Sequence, residues 1–267
     1  MAKTIFITGA STGIGKITAK LFQSKGWNVI ATLRDPSKET ELTQLANVTV
    51  LPLDVKNTTQ IQSIVDKVTS SVNIDVVVNN AGFGIVGPFE GTPENEIERI
   101  VNTNILGVMR VTKAFLPHFR SQKNGVLITV SSEGGLITYP FFALYHATKW
   151  AIEGWTESMV YELKPLGIQI KTVLPGPTKT EFGNSIFQSS HSAYENTFDK
   201  FRSSFLSEKA RSTFQSADVV ANSIYEAATD GKYQIRYLSG ETARKHFSDQ
   251  IELGTEEFHN KMEKSLL

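Results

Sequence analysis

Short apolar segments rich in β-branched residues alternate along this chain with longer segments of helical pattern. The apolar segments lie at 3–8, 28–33, 48–53, 74–79, 125–131 and 168–174, and the helical ones at about 14–26, 57–71, 93–121 and 143–166. Such alternation is typical of right-handed βαβ units, which place parallel strands in one sheet. It therefore predicts a doubly wound α/β fold, with a parallel sheet and helices on both of its faces.

The alternation weakens in two places. A helix near 36–46 is less strongly indicated, because Pro36 and Thr40 weaken its pattern. The segment 183–213 is polar, yet it carries the aromatic residues Phe187, Tyr194, Phe198, Phe201 and Phe205. A long insertion of this kind is commonly functional, so we predict a substrate-binding lid there. We predict that residues 1–267 form a single domain. After the lid, the sequence predicts a helix at 216–230, a short strand near 234–238 and a helical tail at 241–267.

Composition narrows the classes of function. The 267 residues include 27 Lys and Arg and 27 Asp and Glu, and this zero net charge disfavours nucleic acids and anionic membranes as partners. The sequence has no cysteine, which excludes disulfides and thiolate catalysis, and its five histidines match no zinc motif, so we expect no metal. No apolar run is long enough to span a membrane, and the first strand begins too close to Met1 for a signal peptide, which predicts a cytoplasmic protein.

Tyr145 and Lys149 are the first candidates for catalysis. They lie four residues apart in a predicted helix and therefore share one of its faces. An ammonium so close favours the phenolate, so we expect Lys149 to lower the pKa of the Tyr145 phenol from its ordinary value of about 10. A tyrosine in that setting can act as general acid and base without a histidine.

A glycine-rich turn joins the first predicted strand to the first predicted helix. It reads Thr8-Gly9-Ala10-Ser11-Thr12-Gly13-Ile14-Gly15. Glycines permit a tight turn and the close approach of a phosphate, to which the helix N-terminus presents free amides and a positive dipole end. We therefore predict a phosphate-binding turn, with the spacing Gly-x-x-x-Gly-x-Gly.

From Lys3 to about Gly240 the chain resembles the short-chain dehydrogenase/reductase family, in its short single-domain branch. Residues 8–15 match the cofactor turn of that family, and Tyr145 and Lys149 match its Tyr-x-x-x-Lys pair. Its other motifs are met by Asn79-Asn80-Ala81-Gly82, Asn104-Ile105-Leu106-Gly107, Ser132 and Pro175-Gly176. The resemblance implies a Rossmann-type fold and an NAD(P)-dependent oxidoreductase that interconverts a small-molecule carbonyl and an alcohol.

The resemblance also implies roles for individual residues. Tyr145 would exchange a proton with the substrate oxygen, to which Ser132 would donate a hydrogen bond. Lys149 would bind the nicotinamide ribose, and Asn104 would hold a water that links Lys149 to solvent. The implied catalytic residues are Asn104, Ser132, Tyr145 and Lys149. The implied cofactor contacts are Gly9, Ser11, Thr12, Gly13, Ile14, Gly15, Asn80, Ala81, Gly82, Tyr145, Lys149, Pro175, Gly176, Thr178 and Thr180.

The end of the second strand bears on the choice of cofactor. An NAD enzyme places a carboxylate there, and an NADP enzyme an arginine. Leu33 occupies the usual acidic position of the family and Arg34 follows it, so we predict a preference for NADP(H). Asp35 keeps NAD(H) open, since it could serve the ribose if the loop turned differently. By the same resemblance, Asp54 would reach the adenine edge and Val55 would lie beside the ring.

Apolar side chains dominate the predicted substrate site. Phe83, Phe141 and Phe187 are expected to line it together with Ser132 and Tyr145. Such a pocket suits a hydrophobic ketone, aldehyde or secondary alcohol, and this part of the chain resembles steroid and retinol dehydrogenases. The aromatic residues could equally form the core of the lid or a subunit contact.

Three neighbours of these motifs have structural explanations. Asn79 is expected to hydrogen-bond the strand beside it. His146 cannot share the helical face of Tyr145, so we expect it to pack or to lie at the surface. Nothing in the sequence gives Glu133 the role of a base.

Two other classes of function remain open. One is a catalytically silent dinucleotide-binding regulator, although the complete set of four catalytic residues argues against it. The other is an isomerase or dehydratase on the same fold, although such relatives are usually longer and have a different glycine spacing. The helices at 93–121 and 143–166 form subunit contacts in this family, so the resemblance implies a homodimer or homotetramer.

Overall fold

The computed structural model describes residues 2–205 and 207–267. Its strands are β1 (Thr4–Thr8), β2 (Asn28–Leu33), β3 (Val48–Pro52), β4 (Val76–Asn79), β5 (Ile85–Val86), β6 (Gly125–Val130), β7 (Ile168–Pro175), β8 (Thr178–Lys179), β9 (Phe187–Gln188), β10 (Gln215–Ser216) and β11 (Arg236–Ser239). Its α-helices are α1 (Gly13–Ser24), α2 (Thr58–Thr69), α3 (Glu94–Val101), α4 (Val108–Gln122), α5 (Ala143–Leu163), α6 (Phe182–Ser185), α7 (Glu195–Phe205), α8 (Glu208–Ser212), α9 (Ala217–Thr229), α10 (Glu241–Leu253) and α11 (Thr255–Leu266).

Seven parallel strands form the central sheet, in the order β11-β7-β6-β4-β1-β2-β3. From β1 the chain moves outward to β2 and β3, returns to β4 on the other side of β1, and continues outward to β11. This is a doubly wound sheet, and six of its strands begin and end within two residues of the predicted positions. The predicted fold class is confirmed.

The two faces of the sheet explain why its strands are apolar throughout. All five residues of β1 are buried. Successive side chains of a strand point to opposite faces, so Ile5 and Ile7 pack with residues of α1 and α9, whereas Phe6 packs with residues of α2 and α4. Burial of one such side chain stabilises the fold by about 1.5–3 kcal/mol. A sheet covered on both faces therefore selects continuous apolar runs.

The segment 36–46 does not form the helix that its pattern weakly indicated. It forms two 3-10 turns, Pro36–Lys38 and Leu42–Gln44. The buried carboxylate of Glu39 accepts the backbone N–H groups of Glu41 and Leu42, both at 2.8 Å, and these bonds fix the chain between the turns. Local side-chain bonds of this kind compete with the helical pattern.

The helix predicted at 93–121 is interrupted. A π-helical turn over Asn102–Gly107 separates α3 from α4, and Asn104 lies in it. A Cβ on Gly107 would lie 2.8 Å from Cγ2 of Val55, so glycine allows the turn to approach the loop after β3. Single π turns within helices occur frequently at functional sites.

Helix α7 of the segment 183–213 packs against α11 of the C-terminal tail. Most of the predicted lid is short turns, and α7 is its one long element among the described residues. The tail forms α10 and α11, and Leu266 of α11 packs with Phe198 and Phe201 of α7. None of the helices in residues 2–205 and 207–267 has the length and apolar character needed to cross a membrane.

Candidate active site

The strand order places the predicted motifs along one edge of the sheet. Gly9, Asn80, Ser132 and Pro175 lie at or just after the ends of β1, β4, β6 and β7, which are neighbours in the sheet. Between β1 and β4 the connections run in opposite directions, which opens a crevice at the carboxyl ends of the strands. Ligands of doubly wound sheets bind at this position.

Glycines shape the turn between β1 and α1. Gly9 and Gly13 have φ angles of +68° and +55°, a region that disfavours other residues. A Cβ on Gly9 would lie 2.8 Å from Cα of Ala81, and a Cβ on Gly15 would collide with the amide of Asn80. The glycines thus allow the turn to lie directly on the segment that follows β4.

Thr8 and Asn80 fix the turn to that segment. The Asn80 amide donates to the carbonyl oxygens of Thr8 and Gly9, at 3.0 and 2.8 Å. The Thr8 hydroxyl accepts the backbone N–H groups of Asn80 and Ala81, at 3.0 and 3.1 Å. Asn80 and Ala81, predicted as cofactor contacts, therefore hold the turn in shape.

The N-terminus of α1 fits the pyrophosphate of a dinucleotide. Thr12 is its N-cap residue but makes no side-chain capping bond, and the first turn has no acidic residue. Ser11 and Thr12 are exposed, and a Cβ on Gly13 would lie 3.2 Å from the Thr180 side chain. Free amides, hydroxyl groups and the positive end of the helix dipole thus face one cleft.

The three candidate residues at the end of β2 lie in different environments. Leu33 is buried, and Arg34 is exposed. Asp35 is the N-cap of the following turn, and its Oδ1 accepts from the backbone N–H and the hydroxyl of Ser37, at 3.2 and 2.6 Å. These bonds hold the pKa of the Asp35 carboxyl below its ordinary value. That carboxylate oxygen is committed to the protein, whereas the Arg34 guanidinium is presented to solvent.

Asp54 and Val55 follow β3. Oδ1 of Asp54 accepts the Lys56 N–H at 2.9 Å, and the Asp54 side chain is partly exposed. Val55 is buried against Gly107. The predicted contacts of these two residues with adenine stay predictions.

Thr178 and Thr180, which follow β7, differ in whether their hydroxyl groups are still available for a hydrogen bond to a cofactor. The Thr178 hydroxyl donates to the carbonyl oxygen of Gly176 at 2.8 Å and accepts from the Gln215 amide at 3.2 Å. The Thr180 hydroxyl accepts the Phe182 N–H at 3.2 Å, which leaves its own proton free to be donated. Thr180 is therefore the better candidate for a polar cofactor contact, and Thr178 holds the loop.

Ser132, Tyr145 and Lys149 come together at the end of β6. The Ser132 hydroxyl lies close enough to the Tyr145 hydroxyl to lower the pKa of the tyrosine. Nζ of Lys149 lies 5.6 Å from the centre of the Tyr145 ring and donates to the carbonyl oxygen of Val130 at 3.0 Å. The predicted serine, tyrosine and lysine thus occupy one side of the crevice.

The predicted lowering of the Tyr145 pKa below its ordinary value is wrong in this structure. Burial raises the pKa of Tyr145 to about 12, against a smaller lowering by the Ser132 hydrogen bond, and the Glu133 charge raises it further. Burial also lowers the pKa of Lys149 to about 8, although the Glu153 carboxylate acts against this. Desolvation penalises the charged form of each group, and it outweighs their helical spacing.

Asn104 holds the segment after β4 against α5. Its amide oxygen accepts the Phe83 N–H at 3.1 Å, and its amide nitrogen donates to the Phe83 carbonyl at 2.9 Å and to the Thr148 hydroxyl at 3.2 Å. The predicted water at Asn104 stays a prediction. Asn79 has a structural role as expected, but its partner is Thr112 of α4, at 3.1 Å, and not the neighbouring strand.

Comparison with known proteins identifies the family. The family model described as short chain dehydrogenase matches residues 3–191. The chain belongs to the short-chain dehydrogenase family. An uncharacterized oxidoreductase of Schizosaccharomyces pombe is 40% identical over 211 residues, which are 78% of this chain and 89% of that protein. Human 17-beta-hydroxysteroid dehydrogenase type 1 is 31% identical over 259 residues, 90% of this chain and 79% of that protein.

Solved structures agree. The structure of ElxO with NADP bound is 29% identical, superimposes with a TM-score of 0.75, and matches 89% of this chain and 98% of that one. The predicted family is confirmed, and the protein is an NAD(P)-dependent oxidoreductase. The predicted homodimer or homotetramer stays a prediction, as does the role of each site residue.

Aromatic side chains of the dehydrogenase surround Tyr145. Phe83 and Phe187 pack in one cluster with the Tyr145 ring, and Phe187 pairs with Ile85 in a two-residue parallel ladder. Phe141 lies beside this cluster with a φ of +62°, which is rare for a bulky residue and is found at functional sites. The three predicted substrate residues therefore lie near Tyr145, the predicted catalytic tyrosine.

Two aromatic residues of the predicted lid, Phe198 and Phe201, are core residues. The Phe141 ring centre lies 4.9 Å from that of Phe198 and 5.5 Å from that of Phe201. Phe198 and Phe201 are 5% and 1% exposed. For these two residues, packing within the lid explains the aromatic pattern better than direct substrate contact.

Three residues with close contacts to the site had no predicted functional role. The Phe182 ring centre lies 6.1 Å from that of Tyr145, and this side chain is 38% exposed, immediately before the segment predicted as the lid. His146 is buried and joins two backbone groups, and Glu133 is buried beside Ser132. The position of Phe182 two residues after Thr180 was an available signal, whereas His246, a partner of Glu133, is 113 residues away in the sequence.

Proposed function

We propose that the protein is an NADP(H)-dependent oxidoreductase that interconverts a hydrophobic ketone or aldehyde and its alcohol, with Tyr145 as general acid and base. The observation that carries this proposal is that Ser132 and Tyr145 lie together, with the Tyr145 ring packed in a cluster with Phe83 and Phe187. The name of the human steroid dehydrogenase relative supports a hydrophobic substrate.

The side chains of the site divide the chemistry among them. When bound, the nicotinamide cofactor supplies or accepts the hydride. Tyr145 is neutral at pH 7, because its pKa is raised to about 12, so it holds the proton that carbonyl reduction requires. Ser132 Oγ accepts the Gly134 N–H at 3.0 Å, which directs the hydroxyl proton of Ser132 away from the backbone and toward Tyr145 or a substrate oxygen.

Lys149 supplies the positive charge of the site. With a pKa lowered to about 8, it is still largely protonated at pH 7. Its bond to the Val130 carbonyl fixes the ammonium one helical turn from Tyr145. A cation held there stabilises the negative charge that develops on the phenol oxygen as the proton is transferred.

A panel of carbonyl compounds tests the proposed function. We expect NADPH oxidation with bulky hydrophobic ketones or aldehydes, and values of kcat/KM at least about tenfold lower for sugars and short hydroxy acids, because the walls near Tyr145 are aromatic. NADPH fluorescence measures both binding and turnover. Preferred turnover of small polar substrates would contradict the substrate class, and NADPH binding without any turnover would contradict the reaction.

Arg34 tests the cofactor preference. We expect wild-type kcat/KM to be at least about tenfold higher with NADPH than with NADH, and Arg34→Leu to lose about 10- to 100-fold with NADPH alone, because a charge-assisted bond to the 2′-phosphate is lost. Lys38→Leu, in the next turn and also exposed, is the matched control. A wild-type preference for NADH would overturn the assignment.

A further inference from the structure

A buried carboxylate lies directly beside the predicted catalytic serine. Glu133 follows Ser132 and is 3% exposed. Its Oε1 accepts the Tyr139 hydroxyl at 2.6 Å, and its Oε2 lies 3.1 Å from Nδ1 of His246, which also lies 3.0 Å from the Tyr139 oxygen. His246 belongs to α10, outside the residues that the family model matches. A helix of the tail thus reaches the turn that begins at Ser132.

Burial of a carboxylate costs several kcal/mol unless hydrogen bonds compensate for it, and an apolar side chain would avoid the cost. Here both oxygens have partners, and the partners come from different parts of the chain: Tyr139 from the loop before α5, and His246 from the tail. A buried carboxylate with hydrogen bonds to both of its oxygens holds the segments that carry its partners in fixed positions relative to one another. Buried polar networks act in this way.

A second set of bonds connects the same turn to the helix of Tyr145. The Gly134 N–H donates to Ser132 Oγ at 3.0 Å, and the Gly134 carbonyl accepts from Nδ1 of His146 at 2.8 Å. Nε2 of His146 accepts the Tyr139 N–H at 2.8 Å. Because a carbonyl can only accept, the proton of the neutral His146 ring is on Nδ1. Displacement of Tyr139 would therefore be transmitted to Ser132 through His146.

We propose that Glu133 is a positioning residue of the active site, which ties the turn after Ser132 to the C-terminal helix α10 through Tyr139 and His246. This rests on the proposed function, because it assigns Ser132 and Tyr145 their roles in carbonyl reduction. Glu133 does not contact the substrate oxygen in this scheme. It acts through Ser132, whose hydroxyl it keeps in place.

The charge of Glu133 gives the proposal a measurable signature. The titratable groups around it are Tyr139 on its own loop, His246 on α10, and His146, Tyr145, Lys149 and Glu153 on α5, the last two of which border Gly135 of the same turn. Its carboxylate adds to the burial that raises the pKa of Tyr145. Alcohol oxidation requires the phenolate, so removal of the charge should lower this pKa and move the acid limb of the oxidation profile to lower pH.

The test compares Glu133→Gln and Glu133→Ala with Glu162→Gln, an exposed glutamate of α5. We expect Glu133→Gln to move the acid limb of alcohol oxidation down by about 0.5–1 pH unit. We expect Glu133→Ala to lower kcat about 10- to 100-fold while KM for NADPH stays within about twofold, because the lost bonds lie at the serine turn. An acid limb that stays in place, or a wild-type kcat in Glu133→Ala, would overturn the proposal.

A second variant covers failure of the first to fold. His246→Ala removes the tail bond alone, and His259→Ala, which removes the bond from α11 to Thr138 at 3.1 Å, is its control. We expect a fall in kcat of about three- to tenfold for His246→Ala only. Amide exchange at Gly134 and Tyr139 should also be at least about tenfold faster in this variant.

The exchange measurement separates the two proposals. If no carbonyl compound is turned over, the proposed function fails, whereas faster exchange at Gly134 and Tyr139 still supports the positioning role. Unchanged exchange in His246→Ala sinks the positioning role, whatever the enzyme reduces.

Discussion

Tyr145→Phe is expected to lower kcat for carbonyl reduction about 10³-fold, with NADPH affinity within about threefold of wild type. The substitution removes the Tyr145 hydroxyl beside Ser132 and keeps the ring that packs with Phe83 and Phe187. General acid catalysis contributes about 10²- to 10⁴-fold, and the neighbouring His146 cannot replace Tyr145 as the acid, because burial lowers the pKa of His146 to about 4. Single-turnover NADPH oxidation measures the effect.

Tyr161→Phe is the matched control, since Tyr161 lies on the same helix and is 83% exposed. It should leave kcat within about twofold of wild type, because it removes a hydroxyl from solvent only. If Tyr145→Phe retained more than about a tenth of wild-type kcat, Tyr145 would not be the acid. A loss of NADPH binding would instead show that the hydroxyl supports the cofactor site.

The fold followed from the sequence where local pattern and burial agree. A strand such as β4 is buried on both faces, so its apolar run indicates it without knowledge of its neighbours. The break in the helix at Asn104 could not be predicted in this way, because it depends on hydrogen bonds to Phe83 across the crevice. Likewise, the segment around Glu39 forms two turns and not the weakly indicated helix, because the Glu39 carboxylate binds two backbone N–H groups. The hydrophobic pattern does not reveal these hydrogen bonds.

The sequence predicted where the site residues lie better than it predicted their pKa values. The spacing of Tyr145 and Lys149 correctly predicted a shared helical face, but helical spacing cannot reveal how much water reaches each group. Burial reversed the expected shift of the Tyr145 pKa. The contact between Glu133 and His246 joins residues 113 positions apart, so only the folded chain reveals it.

Lys149→Met is expected to abolish most activity and yet stabilise the protein. We expect kcat to fall about 10²- to 10³-fold, because the positive charge beside Tyr145 is lost. The pKa of Lys149 falls from its ordinary value of 10.5 to about 8, so at pH 7 the buried ammonium costs the folded state about 3 kcal/mol. The variant also loses the hydrogen bond to the Val130 carbonyl, which destabilises it by about 1 kcal/mol. The free energy of unfolding should therefore rise by about 2 kcal/mol.

The pH dependence of unfolding supplies an independent check on the sign. Between the folded pKa of about 8 and the unfolded value of 10.5, the unfolded state binds more protons, so the Lys149 contribution to stability rises with pH there. In Lys149→Met this rise should be missing, so the wild type should draw level with the variant between pH 8 and 10.5 and be about 1 kcal/mol more stable above that range. Urea unfolding at several pH values measures it, with the exposed Lys113→Met of α4 as control. If Lys149→Met were less stable than wild type at pH 7, the ammonium would be a stabilising contact, and the lowered pKa of Lys149 would be wrong.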